Sequence, residues 1–183
     1  IVEPKTIFYI QYAKGKLVLP TEDLEAEMYD VLMKTMEKNG LKQYEISNFA
    51  NEDHESVHNK IYWENDEYAG FGAGAHGYVE GVRYSNHGPI KKYIETVESG
   101  ELPIVYEHVV TAEERLEEQM FLGLRKTAGI THAEFAVKFE QTMAELFPKQ
   151  LEKQKELGLI EFDDAGVRLT RRGRFVGNEV FQQ

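Results

Sequence analysis

The sequence predicts an α/β chain with α+β character: a strand–helix–strand unit of (β/α)-barrel type over residues 1–110, then a helical, winged-helix-like domain with a β-hairpin over residues 111–183. Three observations predict it. At the front, a run of β-formers, a capped helix and a second alternating run stand in strand–helix–strand order. In the second half, Thr111-Ala112-Glu113-Glu114 and Thr131-His132-Ala133-Glu134 are capping boxes that open consecutive helices. Beyond them, two short β runs flank Asp163-Asp164-Ala165-Gly166, a hairpin signature. The charge changes at the same boundary. Residues 1–110 hold 10 basic and 19 acidic side chains, whereas residues 111–183 hold 11 and 13.

In chain order, Ile1 to Ile10 is apolar and β-branched around Pro4, which predicts a strand end and a turn. Thr21, Glu22 and Asp23 open a helix whose apolar face carries Leu24, Met28, Val31, Leu32 and Met36, and Asn39-Gly40 closes it. Its methionines read as core filler. Leu41 to Phe49 alternates as the next strand. Residues 70–75 read as a glycine-thinned strand, and Tyr78 to Tyr84 as a hairpin broken by Gly81. The Tyr84-to-Pro89 segment is a turn that includes His87. Pro89 opens a helix through Ile90, Tyr93, Ile94 and Val97, and Ser99-Gly100 ends it. Glu101 to Val110 reads as a connector containing Pro103 and His108. After the two boxed helices, in which His132 is expected to be solvated, Pro148 starts a further helix that ends at Gly158. Leu159–Phe162 and Val167–Thr170 form the hairpin, and a last helix starts near Gly173.

Composition excludes several classes. Hydrophobic residues at 42% and charged residues at 29% are those of an ordinary globular chain. No apolar run reaches membrane-spanning length, so no integral membrane segment is expected. A net charge of −11 argues against nucleic-acid partners. The basic knot of Arg168, Arg171, Arg172 and Arg174 near the hairpin is therefore expected to dock protein rather than DNA. The absence of cysteine excludes disulfides and fits a cytoplasmic setting.

The chemically unusual stretch runs from His58 to Gly77. It opens with His58-Asn59-Lys60-Ile61-Tyr62-Trp63, which holds the sole tryptophan, and closes with Gly70-Phe71-Gly72-Ala73-Gly74-Ala75-His76-Gly77. Alternating glycines superficially resemble a dinucleotide loop, but no helix follows to face a phosphate. Two readings remain: a strand thinned for packing, or one thinned so that a flat ligand can lie on its backbone. His58 reads either as a loop or capping residue or as a nitrogen ligand for metal or haem iron. His54, four residues earlier, lacks a third partner for a zinc site.

Three runs, Tyr44-Glu45-Ile46-Ser47-Asn48-Phe49-Ala50, then His58-Asn59-x-x-Tyr62-Trp63, then Gly70-x-Gly72-x-Gly74-Ala75-His76-Gly77, resemble the HemW-type haem chaperones in order and spacing. Those proteins belong to the radical S-adenosylmethionine family, with oxygen-independent coproporphyrinogen III oxidase. The resemblance implies haem contact through His58, Asn59, Tyr62 and Trp63, with His58 as the iron ligand. It implies S-adenosylmethionine contact near Gly72, Gly74, Ala75 and His76. It also implies a [4Fe-4S] cluster on a CxxxCxxC motif, which this chain lacks. The chain is thus expected to be the C-terminal half of a longer protein and to run no radical chemistry alone.

The function expected first is haem binding and transfer to an acceptor protein. The alternatives are coproporphyrinogen III oxidation by a full-length parent and a bare winged-helix interaction module. The expected partners are haem or another porphyrin, the missing N-terminal half of the barrel, the haem acceptor and a second copy of the chain, because an open barrel edge invites self-association.

Overall fold

The expected first strand is a helix in the computed structural model, which describes residues 2–177 and Val180. Ile1, the start of that expected strand, lies outside the described residues. The Thr6 hydroxyl accepts from the Tyr9 N–H at 3.2 Å and opens α1, Ile7–Ala13. A β-former run needs a neighbouring strand to satisfy its backbone, whereas a local cap satisfies a helix end unaided. Helix α2, Glu22–Lys38, starts at the predicted Thr21 cap and stops at Asn39, with Gly40 at φ +79°. Met33 is its buried residue, while Leu24, Met28, Val31 and Leu32 of the predicted face are exposed. The chain divides into two units at Leu41 and Lys42, and these helices make up the first.

The second unit begins with another correction. Leu41–Phe49 is not one strand. Lys42–Gln43 (β1) and Phe49–Ala50 (β2) pair antiparallel around a tight turn. Glu45 makes that turn: its Oε1 accepts from the Ser47 N–H at 2.9 Å and from Asn48 Nδ2 at 2.6 Å. The alternation that suggested a strand arises from a side chain folding back on its own loop. All strand pairs among the described residues are antiparallel, so the expected βαβ connection at the front is not formed.

The stretch around His58 is helical: Ser56 caps α3, Val57–Trp63. His76–Val79 (β3) and Val82–Asn86 (β4) form the predicted hairpin through Glu80-Gly81, and Ile104–Val109 (β5) completes a sheet ordered β3-β4-β5. The expected connector is thus mostly strand, because β4 offers it a free edge after helix α4, Ile90–Glu98, has turned the chain back. His108 on β5 meets Glu114, with Nε2 3.0 Å from the carboxylate.

Residues beyond Thr111 follow the winged-helix order of helix, strand, helices and wing. Helix α5 is Ala112–Gly123, β6 Ile130–Thr131, α6 His132–Phe139, α7 Met143–Leu146 and α8 Pro148–Glu156. Then come β7 Ile160–Phe162, β8 Gly166–Leu169 and α9 Arg171–Phe175, in a sheet ordered β6-β8-β7. Both predicted capping boxes form, and Thr142 with Glu145 adds a third. The last helix starts two residues early because Thr170 caps it. Phe135, Ile130, Met143 and Val167 sit at the centre of the core, joined by Leu124, Leu151, Leu159, Ile160 and Leu169. His132 is half-exposed and also makes tertiary contacts. Its ring packs edge-on against Phe162 and its Nε2 lies 2.9 Å from the Asp163 carbonyl oxygen.

Helices α5 and α6 grip the α3 region directly. Lys138 on α6 reaches Asp66 at 2.6 Å and also donates to the Glu64 carbonyl at the end of α3. Asn65 donates to the Arg115 carbonyl on α5. No described helix is long and apolar enough to cross a membrane.

Candidate functional site

Helix α3 sets the geometry. Its cap places His58 at the second helical position, with its side chain exposed, and Tyr62 one turn later. The His58 Nε2 and Tyr62 Oη atoms are 3.0 Å apart, and the two rings meet edge to face. Tyr62 in turn meets Tyr68 edge to face at 4.4 Å between centroids. Asn59 is half-buried and its N–H donates to Ser56 Oγ, so its backbone serves the cap. His54 lies before the helix, with Nδ1 2.8 Å from the Glu52 carbonyl oxygen. Among the described residues no group of three His, Cys, Asp or Glu side chains is placed to hold a metal ion.

Tyr62 and Trp63 line a half-open cavity of about 300 Å³ together with Tyr68, Arg83, Glu118, Phe121 and Leu122. That volume is at the lower end for small-molecule sites. The wall is aromatic, with one ion pair set into it. Arg83 holds Glu118 through two bonds of 2.6 and 2.7 Å, and its guanidinium lies 5.2 Å from the Tyr78 ring centroid. Burial pushes the Glu118 carboxyl above its ordinary value, against the pull of Arg83. Burial likewise raises the Tyr68 phenol, with Arg83 again opposing. A second cation covers Trp63: the Arg125 guanidinium carbon is 4.4 Å from the indole centroid.

The glycine segment is a loop, not the expected strand. Gly72 and Gly74 have φ of +102° and +71°, values that break a ladder and favour glycine. Buried Asn86 ties the loop down by donating to the Gly70 and Gly72 carbonyls, and Tyr84 Oη accepts from the Gly70 N–H at 2.9 Å. Gly70 is there for packing, since a Cβ would stand 2.1 Å from the His76 carbonyl oxygen. A Cβ on Gly72 would meet nothing within 4 Å. The Ala75 carbonyl accepts from the Asn86 N–H, and His76 is exposed where β3 begins, opposite Ser85.

Of the residues singled out in the sequence, the structure gathers His58, Tyr62 and Trp63 on one helix and places the latter two in the cavity wall. Gly72, Gly74, Ala75 and His76 are not among the residues lining it. Arg83, Glu118, Phe121 and Arg125 join the site from other elements, with no local pattern to mark them. Tyr68 could have been found, because it stands two residues before the glycine run.

Residues 110–176 match the family model described as the HemN C-terminal domain. Over 181 residues the chain is 51% identical to a protein named heme chaperone HemW from Bacillus subtilis (strain 168), spanning 99% of this chain and 48% of that protein. The chain is HemW-like over its whole length. The Lactococcus lactis heme chaperone HemW is 38% identical over all of this chain and 48% of its own length. Radical S-adenosyl methionine domain-containing protein 1, mitochondrial, from Bos taurus is 34% identical over 94% of this chain and 41% of its own length. The HemW-like chain thus spans about half the length of the curated relatives it matches. A solved structure of coproporphyrinogen III oxidase (HemN) from Escherichia coli, described as a radical SAM enzyme, superimposes with a TM-score of 0.70 at 16% identity. It covers 95% of this chain and 44% of the oxidase, a likeness of fold. Two halves of the sequence reading come together here, the α+β class and the HemW-like assignment.

Proposed function

We propose that this chain carries the haem-contacting part of a haem-binding and haem-transfer protein. The observation that supports it is the exposed His58 imidazole at the start of α3, one turn from Tyr62 and beside the aromatic cavity wall. Haem is the cargo. An imidazole nitrogen is a proper axial ligand for its iron, and the large aromatic faces of Tyr62 and Trp63 suit contact with a macrocycle edge. His76 and the Gly72–Ala75 loop belong to the same reading as contacts for S-adenosylmethionine. That cofactor and a [4Fe-4S] cluster are assigned to the cysteine-bearing part of the whole protein, since this chain has no cysteine. A haem acceptor, a cytoplasmic setting and a homodimer through the β5 edge, where Val105, Tyr106 and Val109 are exposed, complete the proposal. So does a domain boundary near Val110-Thr111.

Titration of the chain with haem, read by the Soret band, tests it. The wild type is expected to bind and His58→Ala to bind more weakly with an altered spectrum. Identical spectra and affinities for both would remove His58 from the site. A second reading, oxidation of coproporphyrinogen III by the whole protein, draws support from the fold likeness to the oxidase. Anaerobic conversion of that substrate by the full-length protein would favour it over transfer.

A further inference from the structure

We propose that Glu45 is a positioning residue for Trp63, acting through the Arg125 guanidinium, and that it fixes one wall of the cavity beside α3. Glu45 is fully buried, yet it sits in a five-residue turn between two strands of two residues each. Closing that turn engages only one of its two carboxylate oxygens. Glu45 Oε1 closes the turn by accepting from Ser47 and Asn48. Its Oε2 takes no hydrogen bond and lies 3.9 Å from Arg125 Nη2. The surroundings are donors on one oxygen and a cation facing the other, the company a carboxylate requires.

Arg125 connects the turn to the site. Its side chain is mostly buried between Glu45 on one side and the Trp63 ring on the other. The backbone holds this arrangement in register. The Ile46 N–H donates to the Arg125 carbonyl at 3.0 Å, the Thr127 N–H donates to the Tyr44 carbonyl at 3.0 Å, and Glu45 bridges Lys126 as an isolated β pair. The turn at Glu45 is thus strapped to the loop after α5, and that loop delivers a planar cation onto the indole face. A guanidinium held over a ring beside a buried carboxylate keeps water off that face and limits the ring's rotation. Trp63 lines the cavity and Glu45 does not, so Glu45 sets the shape of a wall it does not itself touch.

This inference deepens the haem reading by naming what orients an aromatic contact, but its test needs no haem. Trp63 is the sole tryptophan of the chain, so its fluorescence reports this one ring. In the ligand-free 183-residue chain, Glu45→Gln is expected to shift Trp63 emission to the red and to raise its quenching by acrylamide. An amide in that place turns donors toward Arg125 and releases it. Arg125→Gln is expected to give the same change, and the double variant no more than either single one. Additive changes in the double variant, or unchanged emission and quenching in a folded Glu45→Gln, would overturn the proposal. Should Glu45→Gln fail to fold, Arg125→Lys decides. It keeps the charge but loses the planar contact, and must reproduce the red shift, whereas wild-type emission would overturn the inference. Quenching of Trp63 by added haem is a separate arm. A wild type that haem leaves unquenched would count against the haem reading while leaving the role of Glu45 intact.

Discussion

The His58 imidazole and the Tyr62 hydroxyl are hydrogen-bonded partners one helical turn apart, Nε2 to Oη at 3.0 Å. On the proposed haem reading, iron would take Nε2 only after Tyr62 lets it go. Such a bond contributes about 0.5–1.5 kcal/mol, so Tyr62→Phe should tighten haem binding by about two- to ten-fold while keeping the ring. The Soret titration that serves His58→Ala measures this too. Weakened binding in Tyr62→Phe would show that the hydroxyl, not the free nitrogen, is what haem needs.

The glycines of the loop should separate by role. Gly70→Ala and Gly77→Ala place a Cβ 2.1 Å from the His76 carbonyl oxygen and 2.2 Å from the Tyr84 ring. Each should cost about 3 kcal/mol in a urea melt, because rigid neighbours cannot retreat. Gly72→Ala meets open space and should cost only about 1–2 kcal/mol, the strain of its positive φ. If Gly72→Ala loses ligand affinity while the chain stays folded, the loop touches the ligand. Equal costs at all three positions would refute the distinction.

Acid should weaken the helical domain through its capping boxes. Bonds from Thr111 hold Glu114 below its ordinary value of 4.5, and bonds from Thr142 do the same for Glu145. Burial raises Glu134, but the bonds from Thr131 win and leave it lowered. A carboxyl with a lowered folded pKa contributes stability that is present above the unfolded value and is lost as pH falls through the folded one. Melting temperature should therefore fall as pH drops below about 4.5, and a triple Glu→Gln variant at 114, 134 and 145 should show a shallower fall. A variant curve parallel to wild type across that window would contradict this.

Arg83 and Glu118 should be unequal partners. Arg83→Met strands a partly buried carboxylate and should cost about 1–2 kcal/mol at neutral pH, discounted because Arg83 is a third exposed. The sign of the pH effect is opposite to that of the boxes. Glu118 has a raised folded pKa, so its contribution is complete below the unfolded value and is lost as pH rises through the folded one. Denaturant midpoints for Arg83→Met should recover toward wild type in mild acid. A deficit independent of pH would rule out a stranded charge.

The helices and hairpin beyond Thr111 were legible because their signals are local. A threonine three residues before a glutamate closes its own cap, and Asp163 to Gly166 turns the chain within four residues. The front was not. Ile7 to Ala13 has strand-formers but no strand beside it, Leu41 to Phe49 alternates only because Glu45 folds its turn inward, and β5 became a strand because β4 left an edge open.

The sequence alone determined the motifs, the caps and the family likeness, since each depends on residues a few positions apart. Only the tertiary structure decided which side chains face the cavity. Arg83, Glu118 and Arg125 reach Tyr62 and Trp63 across 20 to 62 positions of chain, and Asn86 pins Gly70 and Gly72 from another strand. Contacts of that span depend on how sheets and helices pack, and burial, not spacing, selects them.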